Sequence, residues 1–211
     1  TWNANVGTIA AKSVQAQIER TYPMEGMMNG VYPNFKLLAS EDMGDSTNPS
    51  QTAFDFGETW LQKYGDDLDV IIGAADIIGI GCAEAIIKNG DEHGENTICA
   101  GLDGGSQAWS YIRKDTPFKY SYAQPFEAYA HNIMELIDEL QVQGMKPGDD
   151  GCLISEEGAA IYETGMVVSP KNVPEVGESI HAVFDYYGGD PEDADAWYNW
   201  TDGEGAYTVS E

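Results

Sequence analysis

The sequence predicts an α/β fold, a mainly parallel sheet flanked by helices in three layers. Short β-type runs alternate with helix-period runs along the chain, the pattern of a sheet built through helical crossovers. Two of the runs, Leu68 to Ala74 and Thr97 to Leu102, are apolar enough for strands buried on both faces. Both lead into an aspartate, Asp76 and Asp103, that opens onto a turn or a helix.

The elements follow in order. Asn5 to Ala11 is the first strand, and helical material runs from Val14 to Asn29 with Pro23 expected to start or kink a helix. Phe35 to Ser40 reads as a strand. After the polar loop Glu41 to Ser50, Gln51 to Tyr64 carries Phe54, Trp60 and Leu61 at helical spacing. The Leu68 to Ala74 strand precedes a helix from Ile77 to Lys88, closed by Asn89-Gly90. The Thr97 to Leu102 strand ends at Asp103-Gly104-Gly105, and Ser106 is placed to cap a helix reaching about Lys114. Phe118 to Ala123 is a further strand, with Pro125 near the start of a helix to Val142 that exits at Gly144 and Gly148. Cys152 to Ile154 and Ile161 to Val168 are expected as strands around a Glu-Gly turn. Residues 1–170 thus form the folded body, and 171–211 an irregular acidic extension rich in aromatics such as Tyr186, Tyr187, Trp197, Tyr198 and Trp200.

The charge narrows the partners. With 36 acidic and 10 basic residues the chain carries −26, a field that repels nucleic-acid phosphates and anionic membrane surfaces. No stretch reaches the roughly 18 apolar residues of a membrane span, and no signal peptide is present. Thr1 is not a natural start, so the chain is expected to lie within a longer protein whose targeting or anchoring segment is elsewhere. Of the three cysteines, Cys82 and Cys99 fall in apolar patterns as buried hydrophobes. His93, His131 and His181 have no zinc-site spacing with them, and Asp190, Glu192, Asp193 and Asp195 lack the EF-hand pattern, so no metal or cofactor is expected. No nucleophile–base set or phosphate loop appears, which argues against an enzyme.

Ligands of open α/β sheets bind beyond the carboxyl ends of the strands. Asp76, Asp103 and Gln124 stand at three consecutive strand ends. Carboxylates accept hydroxyl protons and an amide both donates and accepts, a combination suited to a neutral polyol. Asp76 before Ile77 is equally an N-cap, and Asp103 before two glycines is equally a turn residue. Trp109 and Tyr111 could stack on a sugar ring, but their helical setting favours packing.

Three segments carry a resemblance. Leu68 to Ile86, Cys99 to Gly104 and Tyr122 to Pro125 are similar, in order and spacing, to the corresponding segments of ribose- and galactose-type periplasmic binding proteins. The similarity runs from about Asn5 to Pro174. It implies the Rossmann-like C-terminal lobe of a type I periplasmic binding protein, serving an ABC importer outside the cytoplasm. The implied partners are a sugar ligand, a transporter permease and an N-terminal lobe absent from this chain, with membrane contact only through an anchor outside it. Asp103 and Gln124 match positions that hydrogen-bond sugar hydroxyls. Ala75 stands where the family has asparagine before the aspartate matched by Asp76. The family's sugar-binding arginine falls on Pro23, with Arg20 the nearest basic residue. The related fold of LacI-type regulators is the alternative, against which the negative charge stands.

Overall fold

A computed structural model of the protein describes residues 3–156, 158 and 165–177. These fall into two compact units. The first holds the chain to Ala123 and the return segment Val167–Val176, and the second includes Gln124–Met166. The boundary between the two units falls after Ala123.

The first unit is built on strands β1 (Ala4–Ala10), β2 (Phe35–Asp42), β3 (Val70–Gly73), β4 (Ile98–Asp103) and β5 (Phe118–Ala123). Val167 and Val168 of the short β6 (Met166–Val168) complete its edge. The sheet order is β2-β1-β3-β4-β5-β6, and the pairings β1–β2, β1–β3, β3–β4 and β4–β5 are all parallel. Such pairs need crossovers. These are supplied by α1 (Gln15–Gly30), α2 (Pro49–Tyr64), α3 (Asp76–Lys88) and α4 (Ser106–Arg113).

Alternation along β1 sorts its side chains between two faces. Ala4 and Val6 pack with Met24 and Met28 of α1 and with Val70 and Phe35. Gly7 faces the opposite way, where a Cβ would lie 2.3 Å from Cζ3 of Trp60 in α2. The Trp60 ring therefore rests directly on the β1 backbone. On that same side α3 is apolar all round and contributes Ile78, Ala83 and Ile86, all nearly inaccessible. Cys82 and Cys99 are buried thiols here, as expected, and burial pushes both well above the usual thiol range.

Several elements depart from expectation. α1 carries Pro23 in its interior. Proline leaves the Glu19 carbonyl without its helical donor, and Glu19, Tyr22 and Pro23 are all exposed, where that loss costs least. β3 is shorter than its apolar run. Leu68 and Ala74 are fully buried yet lie outside the strand, the Leu68 carbonyl accepting the Thr97 hydroxyl at 2.6 Å. Ser106 does not cap α4; it is the first helical residue, and Gly105 occupies the cap position.

In the second unit α5 (Phe126–Ile137) continues into a π-helical turn, Asp138–Val142, with Pro125 at its cap as predicted. Cys152 to Ile154 is not a strand. Its backbone closes a loop instead: Gly148 N–H bonds the Ile154 carbonyl, Cys152 N–H the Asp149 carbonyl, and Leu153 N–H the buried Glu139 carboxylate. The glycines of the 148–151 segment favour that turn over an extended run. Of the Ile161 to Val168 strand, the last three residues are β6 and 161–164 lie outside the described residues. So does nearly all of the aromatic extension.

Candidate functional site

The strand order reverses between β1 and β3, and a ligand crevice is expected at the carboxyl ends of strands flanking such a point. Arg20 reaches that edge from α1. Its Nη1 donates to the Ala74 carbonyl, just past β3, at 2.8 Å and lies 3.0 Å from Oδ1 of Asp103 at the end of β4. One guanidinium thus ties the ends of two strands. Arg20 is mostly shielded and the Asp103 side chain is 36% exposed, so the carboxylate is the more solvent-accessible member of the pair.

Asp103 has φ 129°, a backbone conformation that side-chain-bearing residues seldom adopt. Gly104 follows at φ 77°, and a Cβ there would meet Cβ of Ala123 at 2.4 Å. The corner after β4 is therefore sharp, close-packed against the end of β5, and dependent on Gly104.

Asp76 sits beneath this corner rather than in the crevice. It is the first residue of α3, behind an Ala75 cap, and is only 7% exposed. Oδ2 accepts the Gly104 N–H at 2.8 Å and the Gly105 N–H at 3.0 Å, while Oδ1 accepts the Ser121 hydroxyl at 2.6 Å. The N-cap reading of Asp76 is corrected: its carboxylate serves the neighbouring loop, not its own helix. Burial pushes this carboxyl above the ordinary range. Ser121, Gly105 and Gly104 pull it back through hydrogen bonds, and the negative charge of Asp103 adds to the rise.

Of the four residues singled out in the sequence, the structure brings Arg20, Asp76 and Asp103 to one strand edge. Gln124 follows β5 directly and opens the second unit, its carbonyl accepting the Phe126 N–H at 2.9 Å. Trp109 is buried core, and the Tyr111 hydroxyl donates to Glu84. Ser121 was missed, though a small hydroxyl between Tyr120 and Tyr122 near the end of the Phe118 to Ala123 strand was a signal. Glu25 was missed too: it accepts the Thr8 hydroxyl at 2.6 Å and the Ser40 hydroxyl at 2.7 Å, and nothing in its local sequence marks it. Among the described residues no three His, Cys, Asp or Glu side chains gather as a metal site, and no helix is long and apolar enough to cross a membrane.

No family model matches the sequence, and no curated protein matches it significantly. Solved structures do match. An arabinose-binding protein from Geobacillus stearothermophilus superposes with TM-score 0.66 at 16% identity, over 81% of this chain and 56% of its own. The fold is that of a type I periplasmic binding protein. An ABC transporter solute-binding protein from Agrobacterium vitis with bound allitol gives 0.62 at 19% identity, over 81% and 55%. One from Bacillus halodurans with bound myo-inositol gives 0.61 at 16%, over 81% and 53%. The chain spans a little over half the length of these structures.

Proposed function

We propose that this chain contributes one wall of a sugar-binding cleft in an extracytoplasmic solute-binding protein that feeds an ABC importer. The observation that carries the reading is the Arg20–Asp103 pair at the carboxyl edge of the sheet, in a fold whose solved examples include holders of arabinose, myo-inositol and allitol. A carboxylate beside a guanidinium offers charged acceptors and fixed donors within one sugar's reach, and charge-assisted bonds to hydroxyls are the stronger kind. Both groups are suited to holding hydroxyls, the guanidinium as donor and the carboxylate as acceptor, and the proposed role is binding.

The wall opposite is assigned to polypeptide outside this chain, an N-terminal lobe that would close over the ligand. Gln124, which opens the second unit, is kept as a ligand-contact candidate on the resemblance alone. The permease is the partner that the closed, loaded form would engage, and any membrane attachment belongs to a segment outside these residues. The chain's charge of −26 fits a protein that meets neither nucleic acid nor an anionic lipid surface directly.

A thermal-shift and calorimetric screen of the full-length protein against L-arabinose, D-allose, myo-inositol and allitol tests the reading, with Asp103→Ala as control. Binding of at least one of them, lost by about 100-fold or more in the variant, is the expected result. That is the size expected for removing one charged, desolvated hydrogen-bond partner. Binding that survives the substitution would remove Asp103 from the site.

A further inference from the structure

We propose that Asp76 is the positioning residue of this site: it clamps the corner after β4 so that Asp103 presents its carboxylate to Arg20 and to the ligand. The inference rests on the sugar-binding reading for its functional consequence, but its structural half stands on the corner alone.

Four observations converge on it. First, both carboxylate oxygens of Asp76 are engaged inside the protein, by two backbone amides and one hydroxyl. With Asp76 only 7% exposed, little of it is left within a ligand's reach. Second, the amides it holds belong to Gly104 and Gly105, the two residues directly after Asp103. Third, Ser121 of β5 closes a ring, donating to Asp76 while its Oγ accepts the Gly104 N–H at 3.1 Å. Fourth, β4 abuts Asp76 before the corner as well. A Cβ on Gly101 would stand 2.7 Å from both Cα and Oδ1 of Asp76.

Asp103 is therefore flanked on both sides by backbone held to one buried carboxylate, two residues before it by contact and one and two residues after it by hydrogen bonds. An unfavoured φ of 129° persists only where the surroundings over-determine it, and Asp76 is the group that does so. The arrangement explains why an aspartate without access to the crevice stands at the start of α3. It also separates two roles that the sequence had merged: Asp103 touches the ligand, and Asp76 acts through Asp103.

Asparagine at this position keeps the size but turns one acceptor into a donor. That donor would face Ser121 Oγ, whose own proton must then turn away from residue 76, and the Gly104 and Gly105 amides lose a charged acceptor. The test compares the 211-residue wild-type chain with Asp76→Asn by amide hydrogen exchange and two-dimensional NMR. Asp91→Asn is the control, since Asp91 also holds loop amides (Glu95, Asn96 and Thr97) but before β4. Expected in Asp76→Asn is exchange at Gly104 and Gly105 faster by about 10-fold or more, with the Arg20 Nε and Asp103 carboxyl resonances displaced. Amides of β1 and β3 should keep their protection, and Asp91→Asn should leave the Arg20 and Asp103 signals in place.

For the consequence, the full-length protein is titrated with L-arabinose, D-allose, myo-inositol and allitol. Asp76→Asn should weaken whichever of them the wild type binds by about 10-fold. Unchanged exchange and unchanged Arg20 and Asp103 signals in a folded Asp76→Asn would overturn the proposal. So would a loosened corner with undiminished affinity. If the wild type binds none of the four, the sugar reading fails, and the exchange and resonance data alone decide the clamp. Should Asp76→Asn not fold, Ser121→Ala, which removes the ring's third member, takes its place with the same expected displacement of Arg20 and Asp103.

Discussion

Asp103 and Asp115 are the two residues other than glycine with positive φ among the described residues, and they arrive there by different routes. Asp115 follows the last turn of α4 at φ 54°. Its N–H bonds the Ile112 carbonyl and that of Thr116 bonds the Tyr111 carbonyl, the two bonds of a Schellman stop. Left-handed backbone is routine at that position, where glycine is preferred and aspartate tolerated. Its side chain is 68% exposed and pairs with Lys119. Asp103, at φ 129°, ends a strand, has no such routine motif, and is held by a buried carboxylate. One aspartate is a substitute for glycine in a helix stop. The other keeps its side chain against a backbone cost of about 1–3 kcal/mol, and its carboxylate is paired with Arg20.

That difference can be broken by substitution, with the largest effect at the corner itself. Gly104→Ala adds a Cβ into Ala123 at a positive φ, combining overpacking with backbone strain. A loss of about 3 kcal/mol in urea unfolding is expected. Asp103→Gly separates stability from function more sharply. It relieves the φ of 129° and should leave the melting temperature level or raised, while sugar binding falls by about 100-fold or more. A stability loss alongside unchanged binding would make Asp103 a structural residue like its counterpart.

The pH dependence sharpens the contrast between the clamp and an ordinary loop aspartate. Burial holds Asp76 above the usual carboxylate range, so its folded pKa exceeds its unfolded one. Its contribution is fullest below the unfolded pKa of about 3.9 and declines as pH rises through the folded value. For Asp91 burial works in the same direction, but the amides of Asn96, Glu95, Thr97 and Gly94 together outweigh it and the carboxyl is lowered. Its contribution is present above the unfolded pKa and is lost as pH falls through the folded one. Urea unfolding at about pH 3.5 and pH 7 should therefore show the stability gap from wild type widening in acid for Asp76→Asn and narrowing for Asp91→Asn. Both gaps moving the same way would contradict the assignment. The smallest effect is at Asp115. Asp115→Gly should raise the melting temperature by about 2 °C, less whatever the exposed Lys119 pair contributed, with no change in binding.

The same contrast marks how far the sequence could be read. The β3 and β4 runs declared themselves because parallel strands are apolar on both faces, and Phe118 to Ala123 was placed to the residue although it carries Lys119 and two exposed tyrosines. Their ends were less legible where burial continued past the ladder, as at Leu68 and Ala74. Asp103 was legible from its place before two glycines. Arg20 came into view only through resemblance, because its partner is far off in the chain and no local pattern links a helix face to a distant strand end. Asp76 was seen but given the wrong neighbour. A carboxylate at a helix start looks like a cap in one dimension, and only the sheet shows that the amides nearest to it belong to another loop.

The proposed sugar site is the carboxyl edge joining Arg20, Ala74 and Asp103. A crystal structure of the full-length protein with a bound ligand from the screen tests it most directly. Sugar hydroxyls are expected to donate to the Asp103 carboxylate and accept from the Arg20 guanidinium, with Asp76 still holding Gly104 and Gly105 and making no contact with the ring. A sugar seated away from Asp103, or one bonded directly to Asp76, would contradict it.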